Sequence, residues 1–349
     1  MQTLHWDLFC RVIDNFGDLG VCWRLAADLG ARGHAVRLWV DEASALRWMA
    51  PSGAPGVELR AWPAQALDID PGDVVIEAFG CELPEALVCR MANAASPPLW
   101  INLEYLSAED FVERSHRLGS PQAHGPGAGL RKWFFYPGFT ARTGGLICEG
   151  DLWSRRQDFD AAAWLANHGV ASRPGEQVVS LFCYEQAALP ELLDRLAARP
   201  TLLLATVGHA ARQIGAALGA SMQRGGLRAV TLPALAQQDY DCLLWAADFN
   251  FVRGEDSFVR AQWAGKPFVW QAYPQHDGVH LAKLDAFLTR FGASDDVRAF
   301  WRAWNEPGRG LPPLPAMSSW RRDCELWRDS LRALPDLATQ LVGFAYETR

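Results

Sequence analysis

Leu4-His5-Trp6-Asp7-Leu8-Phe9-Cys10-Arg11-Val12-Ile13 is an apolar run that stops at Asp14-Asn15-Phe16-Gly17-Asp18-Leu19-Gly20. A helical pattern follows through Val21, Trp23, Leu25, Ala26 and Leu29 and breaks near Gly30 and Gly33. A buried strand, a polar turn with two glycines and a helix make the opening of a βα unit. Residues 35–40, 73–79 and 99–103 read as further strands, with a helix over 84–95. Short apolar runs separated by helices predict an α/β fold with a parallel, doubly wound sheet.

The alternation resumes later in the chain. Residues 177–183, 201–207, 227–232, 249–253 and 267–271 read as strands. Helices are expected over 190–198, 209–218, 239–247 and 256–264. From about residue 278 the pattern is helical, broken around 308–315. Residues 107–145, rich in Gly, Pro, Ser and aromatics, show no clean period and read as loops and insertions. The chain of 349 residues is too long for one ordinary core. It carries two βα arrays joined between residues 147 and 177.

The net charge of −7 speaks against a nucleic-acid partner, which calls for a basic face. Polybasic membrane anchoring is excluded on the same ground. Sixteen Trp need large apolar niches, in cores or in a seam between domains. The eight Cys have no CxxC spacing and read as buried free thiols of a reducing compartment. No run approaches the roughly 20 apolar residues of a membrane span, and residues 1–7 lack a basic leader. The expected location is the cytoplasm.

Ligands of open α/β sheets bind beyond the carboxyl ends of the strands. Three such ends carry chemistry here. At the first, Gly17 and Gly20 permit close backbone approach, but GxGxxG is missing. Two carboxylates, Asp14 and Asp18, occupy the mouth instead. A helix cap needs only one of them, and the pair would repel pyrophosphate. Acid–base work fits better. At the second, Arg253-Gly254-Glu255-Asp256-Ser257 opens a helix. Free N–H groups, a hydroxyl and a forked cation suit a diphosphate, unless this is an ordinary capped start. Glu255 and Asp256 suit sugar hydroxyls or a substrate cation. At the third, Tyr184 could meet a phosphate or simply pack.

Metal signals are poor. His276 and His280 are spaced i, i+4 without HExxH, and Gly278 weakens a helix there. The DxD strings Asp68-Ile69-Asp70 and Asp239-Tyr240-Asp241 are short and common. No metal and no cofactor is expected.

Residues 9–24, from Phe9-Cys10-Arg11 to Val21-Cys22-Trp23-Arg24, resemble the opening of the bacterial elongation factor P arginine rhamnosyltransferases, the EarP family. So do residues 253–262, Gly265-Lys266-Pro267-Phe268, Asn102-Leu103-Glu104-Tyr105-Leu106-Ser107-Ala108-Glu109 and Tyr273-Pro274-Gln275. The resemblance implies a GT-B glycosyltransferase with two Rossmann-like domains facing across a cleft. Residues 1–155 would form the acceptor-side domain and 156–330 the nucleotide-sugar domain. Residues 331–349 would form a helix packing back on the first domain. The implied donor is dTDP-β-L-rhamnose, the acceptor an arginine of elongation factor P, and the linkage inverting.

In that family's terms Asp18 is the general base. Asp14 helps hold the acceptor, and Glu255 is a further catalytic candidate. Arg253, Gly254, Asp256 and Ser257 grip the donor. Asn15, Phe16 and Gly17 line the sugar, Tyr184 contacts phosphate, and Pro233, Ala234, Leu235 and Gln237 belong to the stretch that holds thymine. The sequence departs from the family where an aromatic is expected and Ala234 stands. The chemistry accounts for the carboxylates. A guanidinium with a pKa above about 12 is not nucleophilic until a carboxylate orients it and accepts a proton. Alternative functions are a GT-B transferase with another sugar or acceptor, a nucleotide-sugar epimerase, and a non-catalytic binding module for elongation factor P.

Overall fold

The computed structural model describes residues 2–13, 17–62, 69–274 and 278–348. The chain divides into two compact units, Met1–Gly150 with Ala333–Arg349, and Asp151–Arg332.

The first unit runs β1 (His5–Cys10), α1 (Gly17–Ala31), β2 (Ala35–Val40), α2 (Leu46–Met49), β3 (Val57–Ala61), β4 (Val74–Ala78), α3 (Glu85–Asn93), β5 (Leu99–Leu103), α4 (Phe111–Ser115), β6 (Leu118–Pro121) and β7 (Arg131–Phe135). Among the described residues its sheet is ordered β3-β2-β1-β4-β5-β7-β6, parallel except for β6. Successive strand residues point to opposite faces. Leu8, Leu38, Ile76 and Ile101 meet α1 on one face, while Phe9, Val75 and Trp100 meet Leu87 and Met91 of α3 on the other. Gly30 lets α1 approach closely, since a Cβ there would lie 2.3 Å from the Pro55 carbonyl oxygen.

The second unit runs α5 (Leu152–Gln157), α6 (Ala161–Asn167), β8 (Gln177–Leu181), α7 (Leu189–Ala197), β9 (Thr201–Ala205), α8 (His209–Leu218), β10 (Gln223–Arg224), β11 (Leu227–Thr231), α9 (Gln237–Ala246), β12 (Phe249–Arg253), α10 (Glu255–Ala264), β13 (Phe268–Gln271), α11 (Val279–Phe291), α12 (Asp295–Asn305) and α13 (Met317–Arg332). Its sheet is ordered β10-β11-β9-β8-β12-β13. Val178, Leu202, Leu204 and Leu243 fill one core layer. Phe249, Phe251, Phe268, Phe287, Trp301, Trp304 and Trp320 interlock in an aromatic layer, the apolar niche that so many Trp require.

The last helix, α14 (Leu337–Thr348), returns to the first unit. Its Leu337, Leu341, Phe344 and Ala345 are buried in the core beneath α1. Full burial of one such Leu is worth about 1.5–3 kcal/mol.

Two expectations need correction. Residues 107–145 are not merely loops: they supply α4, the edge strand β6 and its neighbour β7. β7 reads Arg-Lys-Trp-Phe-Phe, and its first four residues are exposed or half-buried, so no apolar run marked it. All eight Cys are free, but Cys89 is exposed and Cys148 and Cys242 are half-buried.

Candidate active site

Each sheet reverses its direction of growth beside its first strand. In the first sheet β1 lies between β2 and β4, and in the second β8 lies between β9 and β12. Crevices at such switch points are where open α/β sheets bind ligands. Both candidate constellations stand there.

At the carboxyl end of β1, Asp18 lies in the first turn of α1 and is 3% exposed. Its Oδ2 accepts the Ile13 N–H at 2.9 Å and its Oδ1 the Tyr105 hydroxyl at 3.2 Å. Asp18 is therefore inside the helix rather than at its cap, and its carboxylate ties the end of the strand to the helix. Gly17 opens the helix and is half-buried. Asp14, Asn15 and Phe16, and His276 of the weak metal pair, lie outside the described residues. Cys10, Cys22 and Cys81 are buried near this mouth. Burial raises the Cys22 thiol well above its usual range and pushes Cys81 to about 12, so both stay protonated.

At the carboxyl end of β12, Arg253 is 8% exposed. Its guanidinium carbon sits 4.5 Å from the Phe182 ring centre and 4.2 Å from that of Tyr184. Its Nε and Nη1 are buried and, among the described residues, have no hydrogen-bond partner. A desolvated cation with orphaned donors is costly unless an anion completes it. Gly254 follows at φ 70° and ψ 178°, a conformation essentially confined to glycine. It turns the chain so that α10 begins next to Arg253, and as the N-cap residue it brings no side chain of its own to the helix start. A helix start beside a buried guanidinium is an arrangement suited to an anion.

The remaining predicted residues gather around this one. The Ser257 hydroxyl is buried and donates to the Arg253 carbonyl. Asp256 Oδ2 accepts from Gln237 Nε2 at 3.3 Å, linking α10 to the start of α9. Glu255 and Asp256 are half-buried. Tyr184 N–H donates to Gln271 Oε1 at 2.8 Å, which fixes the backbone under its ring. Pro233 and Ala234 are exposed beyond β11, whereas the Leu235 side chain is buried in the core. Leu235 could therefore serve a ligand only through its backbone.

Sequence reasoning missed Tyr240 and Tyr105. Tyr240 packs its ring edge against Phe182. Burial pushes its phenol far above the usual tyrosine range, with the neighbouring Ser257 acting the other way, so it stays a donor. Glu185 is exposed and held below the usual carboxylate range by Arg212 and His209. A separate concavity of about 580 Å³, lined by His5, Arg37, Glu58, Asp70 and Asp73, opens at the amino ends of the first sheet. That is the wrong end for a switch-point ligand. Among the described residues no three His, Cys, Asp or Glu side chains cluster to hold a metal ion, and no helix is long and apolar enough to cross a membrane.

A family model described as Elongation-Factor P (EF-P) rhamnosyltransferase EarP matches residues 6–346. The protein-arginine rhamnosyltransferase of Pseudomonas aeruginosa is 46% identical over 97% of this chain and 98% of its own length. That of Neisseria meningitidis serogroup B is 37% identical, over 97% and 96%. A solved EarP structure, studied for arginine glycosylation of translation elongation factor EF-P, superposes with a TM-score of 0.69 at 33% identity, covering 99% of this chain and 100% of that one. A Streptomyces glycosyltransferase, SsfS6, shares the fold at a TM-score of 0.53 and 11% identity, covering 99% and 100%. The chain has the GT-B fold, is a glycosyltransferase, and belongs to the EF-P rhamnosyltransferase family, EarP.

Proposed function

We propose that this protein transfers L-rhamnose from dTDP-β-L-rhamnose to an arginine of elongation factor P, with inversion and without a divalent metal. The observation that carries the reading is Arg253, a buried cation at the start of α10 with two N–H donors that have no partner among the described residues. It suits the diphosphate of a nucleotide-sugar. Family membership supplies the sugar and the acceptor.

In the proposed step an arginine nitrogen bonds to the anomeric carbon as the bond from that carbon to the dTDP oxygen breaks. Asp18 accepts the proton that the nitrogen loses. The negative charge left on dTDP is met by Arg253 and the N–H groups of α10, fixed charges that need no reorganisation as the bond breaks. Tyr184 and Ser257 complete the donor site, with Gln237 and residues 233–235 toward the base. Asp14 and Glu255 are the further carboxylates available to the acceptor cation.

The test is the intact mass of elongation factor P after incubation with enzyme and dTDP-rhamnose. A gain of one deoxyhexose on an arginine is expected. Unmodified acceptor, with sugar released only to water, would overturn the assignment.

A further inference from the structure

The hydroxyl that reaches Asp18 comes from a ring held on an unusually constrained support. The ends of β4 and β5 lie side by side, and Phe79 N–H donates to the Leu103 carbonyl at 2.7 Å. The next N–H, of Gly80, donates to Asn102 Oδ1 at 3.1 Å, and Asn102 Nδ2 donates to Glu104 Oε1 at 2.6 Å. Glu104 N–H is itself fixed on the Phe135 carbonyl at 2.9 Å. These bonds hold Phe79 at φ 57°, a left-handed conformation that a bulky residue adopts only when its surroundings impose it. The strained turn lays the Phe79 ring flat on Tyr105, with centroids 4.3 Å apart and planes 13° apart.

Tyr105 is half-buried, so water could satisfy its hydroxyl, and neither core needs the bond to Asp18. Ile13 N–H holds Oδ2 of Asp18, and the Cβ–Cγ bond of that side chain is the torsion about which the carboxylate turns. A second bond, from a phenol on a stiff ring, restrains that rotation and selects which lone pairs face the substrate.

We propose that Tyr105, seated on Phe79, is a positioning residue for the proton-accepting carboxylate of Asp18. The proposal rests on the reading of Asp18 as the base. Its test uses Tyr105→Phe, which keeps the stacked ring and removes only the hydroxyl, alongside Asp18→Asn. Losing a hydrogen bond to a charged group should lower kcat at least about tenfold at saturating donor and acceptor. Melting temperature, dTDP-rhamnose affinity by calorimetry and acceptor KM should stay at the parent values. Phe79→Leu, which removes the seat and leaves the hydroxyl, should lower kcat in the same direction.

Parental kcat in Tyr105→Phe overturns the proposal. So does a loss that appears equally in melting temperature or donor affinity, the signature of a purely structural role. If Asp18→Asn is slow while Tyr105→Phe is normal, only the positioning role fails. If Asp18→Asn turns over normally, the base assignment itself has failed.

Discussion

The guanidinium of Arg253 lies over the ring of Tyr184, 4.2 Å from carbon to ring centre, with two N–H groups that have no partner among the described residues. The aromatic face holds the cation in place, and in the proposed donor site the diphosphate supplies its anion. Arg253→Ala should therefore weaken dTDP-rhamnose binding by about 1.5–3 kcal/mol, the scale of a charge-assisted hydrogen bond. Calorimetry on the folded variant checks this, and unchanged affinity would remove Arg253 from the donor site.

Asp18→Asn should separate chemistry from folding. Asn can still accept the Ile13 N–H through its amide oxygen, so the junction of strand and helix should survive. An amide has no useful basicity, and base catalysis contributes about 10²–10⁴-fold. The expected protein melts normally, binds donor normally and transfers at least about a hundredfold more slowly in single turnover. Transfer above about a tenth of the parent rate would shift the role to Asp14 or Glu255.

Chelation should be harmless. In the proposed mechanism Arg253 and the start of α10 meet the charge left on dTDP, a task that a divalent metal would otherwise perform. Exhaustive EDTA treatment is expected to leave turnover intact. A loss that Mn²⁺ or Mg²⁺ restores would overturn the metal-free mechanism.

Asp7 should matter for stability alone. It is fully buried, and its oxygens accept from Arg37 Nε and Nη2, Trp39 Nε1 and Gly72 N–H, all at 2.7–2.8 Å. All four partners are donors, so Asp7→Asn sets an amide NH₂ against two of them whichever way it turns. A cost of about 2–3 kcal/mol is expected in urea unfolding. Activity per folded molecule should be unchanged. An undiminished unfolding midpoint would show that the network relaxes freely.

His116 should make the first unit acid-sensitive. Its Nδ1 accepts the Tyr136 N–H at 3.1 Å, and burial, assisted by the charge of Arg117, pushes its pKa down to about 4. The folded state thus favours neutral imidazole. The stabilisation is complete above the ordinary value of 6.5 and is lost as pH falls toward 4. His116→Gln should narrow the drop in melting temperature between neutral pH and about pH 4.5. Identical slopes for variant and parent would count against it.

Much of the architecture was legible because buried parallel strands are written as short apolar blocks. Residues 35–40, 99–103 and 249–253 form β2, β5 and β12 with the expected limits. β3 was missed because Val-Glu-Leu-Arg-Ala at a sheet edge is mostly exposed and carries no such block. Arg253 and Asp18 could be found at strand ends from local pattern. Tyr105 could not, because its partner lies 87 positions away and only the lateral order β1-β4-β5 of the sheet brings the two together. Leu235 shows the converse: a loop position next to functional residues can belong to the core.

The return of α14 to the first unit has a consequence for biosynthesis. As the chain emerges from the ribosome, the first sheet cannot close its core, because Leu337, Leu341 and Phe344 have yet to be made. The second unit, continuous in sequence, can finish while the first waits with apolar surface uncovered. A chain cut short before Leu337 would carry a sealed core in its second unit and an open one in its first.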